Sequence, residues 1–402
     1  MSRSILLKLR LTPSPLWVIF EVNFLRHLAA ASLTSIFTLY IRQFVDSNAA
    51  VGGILFVGYL AACISSIYSG HIIEHLKKRK SLLIALMALT LTLASFAYAE
   101  RASSVFVLFA VYQFVVSLFV LDVGLYVKHY SDYKVIAGNA GKMGSLGNIG
   151  WLVGPLLGSL IANSFGFEAV FLFAACVSLV ALFITFFVRL ANEDGHAPHA
   201  RSFKHNVGIF LKSPRLRRTY LNNAGLGYIY SLWDYLPLLM TGMGATIPII
   251  GMTKTLMGLS QAIFEYPIGQ MADRETGERR LFIVGYLIAT IFTIMLGFTT
   301  NLRYFITFFF IAATGTAFLE MTRDSYFFRQ IPKEEIELVS VYRTSDTLPY
   351  LIGQGLAVIF LTFFQIQWWF VIGGTLALYF TYNAYHLTEL HYVSHTTPHK
   401  TS

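Results

Sequence analysis

Residues 104–127 read Ser-Val-Phe-Val-Leu-Phe-Ala-Val-Tyr-Gln-Phe-Val-Val-Ser-Leu-Phe-Val-Leu-Asp-Val-Gly-Leu-Tyr-Val, with Asp122 as the one charge. A helix of this length reaches about 36 Å, more than the roughly 30 Å hydrocarbon core of a bilayer. Its apolar residues follow neither a single stripe nor an alternation, so no face of it asks for water. In lipid every backbone N–H and C=O must bond within the segment, and a helix does this. The stretch therefore reads as a transmembrane helix.

Eleven more stretches of similar character flank it. The apolar runs predict spans at about 17–41, 50–73, 81–99, 104–127, 137–162, 167–188, 218–240, 247–271, 281–299, 303–322, 338–363 and 368–386. Apolar residues make up 55% of the chain and charged residues 13%, a balance no water-soluble fold uses. The expected fold class is thus an all-α membrane protein of twelve transmembrane helices in two pseudo-symmetric six-helix bundles. The first span is too long for a cleaved signal and reads as a retained helix.

Lys and Arg set the orientation. The first segment carries Arg3, Lys8 and Arg10. Loops on the same side hold Lys77, Lys78, Arg79 and Lys80, then Lys128, Lys134 and Lys142, and later Arg274, Arg279 and Arg280. Opposite loops offer Arg42, Arg101 and Arg303 at their edges. Both termini and the central connection are expected on the cytoplasmic side, in a bacterial inner membrane. The net charge of +9 then reflects an anionic leaflet and no nucleic acid. The two cysteines, Cys63 and Cys176, both lie in apolar spans and imply neither a disulfide framework nor a metal site. No cofactor is expected, and lipid is the partner this composition implies, with the protein a monomer.

The polar connection 190–217 divides the chain into residues 1–189, an N-terminal bundle, and 218–402, a C-terminal bundle with a short tail. A shift of about 199 residues relates them. Gly70-His-Ile-Ile-Glu74 ends the second span and Gly269-Gln-Met-Ala-Asp273 the eighth. Asn23 corresponds to Asn222 and, within one residue, Asp122 to Glu320. Parallel repeats of this kind hold substrate between the halves near the midplane and work by rocking.

The segment Gly269-Gln-Met-Ala-Asp273-Arg274-Glu-Thr-Gly277-Glu-Arg279-Arg280 resembles the cytoplasmic loop motif of the major facilitator superfamily. The N-terminal copy is degenerate, with Glu74 for Asp and no second Gly. A loop so short calls for Gly to reverse sharply without a Cβ penalty. Gly141, Gly150, Gly154-Pro155 and Gly158 resemble the fifth-span motif associated with the family's antiporters. Glycine at that spacing strips bulk from one helix face, and Pro155 releases a backbone bond, giving close packing with a bend. The resemblance implies a twelve-span secondary transporter, with export by antiport favoured. It also implies that Gly70, Glu74, Asp122, Gly269, Asp273, Arg274, Glu320 and Arg323 gate it, with Asp324, Arg343 and Asp346 in the same network. Proton antiporters of the family often carry an Arg inside the fourth span. Here that interior holds only Asp122, so another carrier is expected.

Charges inside a bilayer are costly and therefore informative. Glu21 and Arg26 sit in the first span with Asn23 between them, Arg26 near the midplane. Lys254 and Glu265 lie three helical turns apart on the eighth span, too far apart to pair with each other. Asp234 stands beside Trp233 and between Tyr230 and Tyr235, where an organic cation could be held. Glu21, Asn23, Arg26, Asn222, Trp233, Asp234, Lys254 and Glu265 are the candidate substrate and proton residues, Glu265 foremost for the proton. Each has a plainer reading as an ion pair, a helix cap or an interfacial aromatic. An enzyme would need a metal-ligand cluster or a Ser/Lys pair in the spans, and a primary pump a phosphate-cradling loop; neither pattern occurs. A proton-coupled exporter of a small-molecule substrate is the leading reading. An importer of an anionic nutrient or metabolite, or a non-transporting sensor, are the alternatives.

Overall fold

The computed structural model describes residues 14–131, 136–188, 190, 203–273, 277–331 and 338–388; within these ranges the side chains of 136–138, 140, 203–204, 265–266, 270, 272–273 and 340 are not described. The described residues are helical throughout, without strands. They form two compact units, residues 1–198 with 240–258, and residues 199–239 with 259–402.

Unit 1 begins with α1 (Pro15–Thr34) and its short continuation α2 (Phe37–Arg42), followed by α3 (Asn48–Leu76), α4 (Lys78–Phe96), α5 (Ala102–Tyr130), α6 (Ile136–Phe165) and α7 (Phe167–Phe187). α1 packs on α6 and α7, α3 on α5, and α4 on α7 and α5. Unit 2 contains α8 (Phe203–Lys212), α9 (Pro214–Trp233), most of the short α10 (Leu236–Gly242), the later part of α11 (Ile247–Asp273), α12 (Glu278–Phe298), α13 (Leu302–Phe328), α14 (Val339–Phe363) and α15 (Ile366–Tyr385). α12 packs on α13 and α15, and α9 on α14 and α15. α1 with α2 makes the first span and α9 with α10 the seventh, so twelve spans stand where twelve were predicted. Ten helices are long and apolar enough to cross a bilayer by composition alone. α9 falls short because Arg215, Arg217 and Arg218 open it, and α15 because it is rich in Trp and Tyr.

The repeat is written into the helix ends. Ser14 caps α1 by accepting from Trp17 N at 3.3 Å, and Ser213 caps α9 by accepting from Leu216 N at 3.3 Å. Each Ser precedes a Pro at the first helical position, where the missing N–H costs nothing. The two pairs stand 199 positions apart. Both spans break at the same register, after Thr34 and after Trp233.

The first glycines of the two loop motifs behave otherwise than the short-loop argument expects, whereas Gly277 fits it. Gly70 lies inside α3 and Gly269 inside α11, both with open space where a Cβ would go. Helix simply continues through them. A residue of positive φ instead opens the next helix, Lys77 (φ 66°, ψ 145°) before α4 and Gly277 (φ 73°, ψ 139°) before α12. Lys77 is the one non-glycine with positive φ among the described residues.

Part of the predicted linker is helical. Residues 203–212 form α8, whose Phe210 is buried with Phe327, Leu338, Val341 and Tyr342 of unit 2.

Candidate functional site

Two clusters of polar residues lie inside the apolar helices, one in each unit, and they differ in kind.

In unit 2 the centre is Arg323 on α13. Its Nε meets Glu320 Oε2 at 2.9 Å, one turn back on the same helix, and its Nη1 meets Asp346 Oδ1 of α14 at 3.0 Å. Asn223 of α9 ties in from a third helix. Its Nδ2 donates to Asp346 Oδ1 at 2.9 Å and to Ser345 Oγ at 2.6 Å, and its Oδ1 accepts from Arg323 at 3.3 Å. Glu320 Oε1 accepts the hydroxyl of Tyr230 at 3.1 Å, and Gln261 Nε2 of α11 reaches that hydroxyl at 3.4 Å. Beside this, Arg343 grips Asp324 through both terminal nitrogens at 3.2 and 3.0 Å and touches Asp346 at 3.4 Å. Two arginines and three carboxylates thus interlock over two helices, half-buried where Arg323 meets Glu320 and Asp346 and more exposed where Arg343 meets Asp324.

Farther along α9, Asp234 accepts from Gln354 Nε2 at 2.9 Å while Tyr235 donates to Gln354 Oε1 at 2.7 Å. Trp233 is buried, donating to Thr293 at 3.1 Å and packing edge-on against Phe309. Its ring is therefore a packing element of unit 2, and Gln354 is the neighbour that sequence did not reveal. Asn222 is buried, and its backbone carbonyl accepts from Tyr286.

In unit 1, Arg26 Nη2 donates to His27 Nε2 at 3.1 Å, and its guanidinium lies over the Phe119 ring, 5.8 Å from the centroid. His27 Nδ1 meets Asn23 O at 2.8 Å. Asn23 is buried, whereas Glu21 is exposed and forms no ion pair with Arg26. Asp122 is fully buried, with Ser81 Oγ donating to its Oδ2 at 2.8 Å. Lys254 is half-buried on the part of α11 that belongs to unit 1. Glu74 is exposed. The side chains of Glu265 and Asp273, and all of Arg274, lie outside the described residues.

The glycine face of α6 has a defined neighbour. A Cβ at Gly150 would lie 2.9 Å from Leu28 N, one at Gly154 2.5 Å from Ala31 Cβ, and one at Gly158 would run into Ser32 O. Ser35 Oγ, at the break after α1, donates to Pro155 O at 3.1 Å. Gly141 meets nothing within 4 Å. Gly251 and Gly258, seven residues apart on α11, lie against α6 as well: a Cβ at Gly251 would sit 2.7 Å from Pro155 O, and one at Gly258 2.8 Å from Leu152 Cα. That second glycine pair shows in sequence only as two glycines on one face of a span.

Among solved structures, the chain is similar in fold to the nucleoside transporter NupG, with a TM-score of 0.76 at 12% identity, covering 92% of this chain and 99% of the other. A POT family transporter gives a TM-score of 0.74 at 16% identity, covering 91% and 94%. A bacterial homologue of the human lysosomal transporter Spinster gives 0.72 at 13%, covering 92% and 95%. By sequence, 164 residues are 26% identical to the multidrug resistance protein MdtG of Salmonella arizonae, 39% of this chain and 40% of that protein; the chain thus spans about two fifths of the relative's length. The family model described as Major Facilitator Superfamily matches residues 19–246 and again 228–382, together nearly the whole of the described structure. With its repeated caps and breaks and its polar clusters set in apolar helices, the chain belongs to the major facilitator superfamily.

Proposed function

We propose that this transporter exports small organic molecules across a bacterial inner membrane in exchange for protons, and that Glu320 carries the proton. The Glu320–Arg323–Asp346 cluster is the observation behind the coupling. Arg323 is shared by two carboxylates at nearly equal distance, 2.9 and 3.0 Å. A proton placed on Glu320 removes one claim on the guanidinium and leaves Asp346, on another helix, with the other. Loading the proton therefore weakens the bond within α13 and leaves the one between α13 and α14 as the ionic pair, and such charge-assisted bonds are the strong ones. Tyr230 and Gln261 form a hydrogen-bonded approach to the carboxyl. The fourth span carries no Arg, which leaves the coupling to other residues. The outward direction draws on the relative MdtG and on the glycine face of α6.

Flux into proteoliposomes with an imposed pH gradient tests this. Screening labelled organic cations, neutral compounds and anions should reveal a substrate that accumulates against the proton flow. Glu320→Gln should abolish that accumulation and retain exchange of substrate down its own gradient, with Glu265→Gln run alongside. Full gradient-driven accumulation by Glu320→Gln would remove Glu320 from the coupling. Transport indifferent to the gradient in the unaltered protein would make it a uniporter.

A further inference from the structure

We infer that the Arg26 guanidinium receives the anionic head of the transported molecule, a small organic carboxylate with an apolar body. This inference rests on the transport reading above and names the class of molecule carried. Arg26 stands eleven residues into α1, roughly 16 Å along the helix axis and hence deep in the hydrocarbon. Charge at such depth normally has a partner of opposite sign.

No carboxylate among the described residues supplies one. Glu21 is exposed and apart, and Asp122, the only acid on α5, is bonded by Ser81. The neighbour that Arg26 does have is uncharged. Asn23 O can only accept, so His27 Nδ1 carries the ring proton, and Nε2 is left as the acceptor for Arg26. His27 is then a neutral imidazole that fixes the guanidinium in place without balancing its charge. Arg26 Nε is buried and donates to no acceptor among the described residues. A guanidinium steadied on one side with donors spare on the other is suited to bind a carboxylate.

The surroundings describe the rest of the ligand. Phe119 lies under the guanidinium, Tyr112 stands near enough to interact with its charge, and Trp151 packs edge-on to His27 with ring centroids 6.3 Å apart. Gly147 lets α6 approach this pair, since a Cβ there would lie 3.0 Å from His27 Nδ1. An aromatic or branched aliphatic acid matches one fixed cation with apolar walls.

Benzoate and benzamide are near-isosteric probes that differ in charge. Calorimetric titration of each into the purified protein in nanodiscs needs neither turnover nor a proton gradient, so it stands or falls apart from export and coupling. Benzoate should bind at least tenfold more tightly than benzamide. Arg26→Gln should lower benzoate affinity at least tenfold, to the benzamide level, with Arg26→Lys intermediate. Equal binding of the two probes by the unaltered protein would overturn the inference, as would absence of benzoate binding. So would an Arg26→Gln variant that binds benzoate within twofold of normal. The first comparison uses the unaltered chain, so misfolding of a variant does not protect the idea.

Discussion

The two repeats share a frame and differ in what they bury. Their first spans carry the same Ser-Pro cap and break at the same register. At the paired position on the fourth helix of each, unit 1 places Asp122 against a neutral hydroxyl, while unit 2 places Glu320 inside a web with two arginines and two more carboxylates. The position of Arg26 in unit 1 is held in unit 2 by Gly225, where a Cβ would crowd Phe380 and Tyr286. Helix ends follow from local chemistry, which duplication preserves. Buried charge depends on partners from several helices, so the two units could diverge there: unit 2 toward a web of paired charges, unit 1 toward a guanidinium with a buried donor left over.

The contrast is broken most forcefully at Arg323. Removing one member of a buried ion pair typically costs about 3–5 kcal/mol, because the opposite charge stays behind unpaired. Arg323→Met strands both Glu320 and Asp346 and should lose stability of that order in denaturant melts in micelles. Ser81→Ala removes only a neutral donor from Asp122, a loss of about 1–3 kcal/mol. If Ser81→Ala proves the more damaging change, the web is not what distinguishes the units.

A second test lies in the glycine face. Gly158→Ala drives a Cβ into the Ser32 carbonyl of α1, and overpacking of that kind costs roughly 1–3 kcal/mol. Gly141→Ala, with open space at its Cβ, should be neutral or slightly stabilising, since helical Ala is favoured over Gly by about 0.5–1 kcal/mol. Equal losses in the two variants would detach the motif from the packing.

These comparisons mark what was legible in the sequence. Spans were readable because hydrocarbon imposes a length and a composition on each helix independently. The 199-residue offset was readable because Asn23 with Asn222, and the two acidic loop ends, recur in register. The cluster of Arg323, Asp324, Arg343 and Asp346 could be foreseen because charges near one level of adjacent spans have few other partners. Asn223, Gln354 and Ser81 were not singled out, since a polar neighbour of a buried acid is chosen by helix rotation, which apolar spans do not encode. Nor was the docking of α8 on unit 2, which rests on Phe210 in an otherwise polar connection. The positive φ at Lys77 stayed hidden for a related reason: glycine marks a turn in sequence, and lysine marks only the side of the membrane.

That conformation gives the smallest and cleanest contrast. The residues that enter α4 and α12 share one backbone conformation, which Gly277 adopts freely and Lys77 does not. A non-glycine residue held in such a region costs of order 1–3 kcal/mol, and Gly gives back part of the gain by its greater freedom in the unfolded chain. Lys77→Gly should therefore raise stability by about 1 kcal/mol, and Gly277→Ala should lower it by about 1–3 kcal/mol. Lys77→Ala separates backbone from charge, because it keeps the Cβ and removes the ammonium. Strain in the turn predicts that Lys77→Ala stays close to the unaltered protein while Lys77→Gly alone gains. Loss of stability in both variants would mean instead that the Lys77 ammonium holds the turn through its contacts. The N-terminal loop would then be kept by charge where the C-terminal one is kept by glycine.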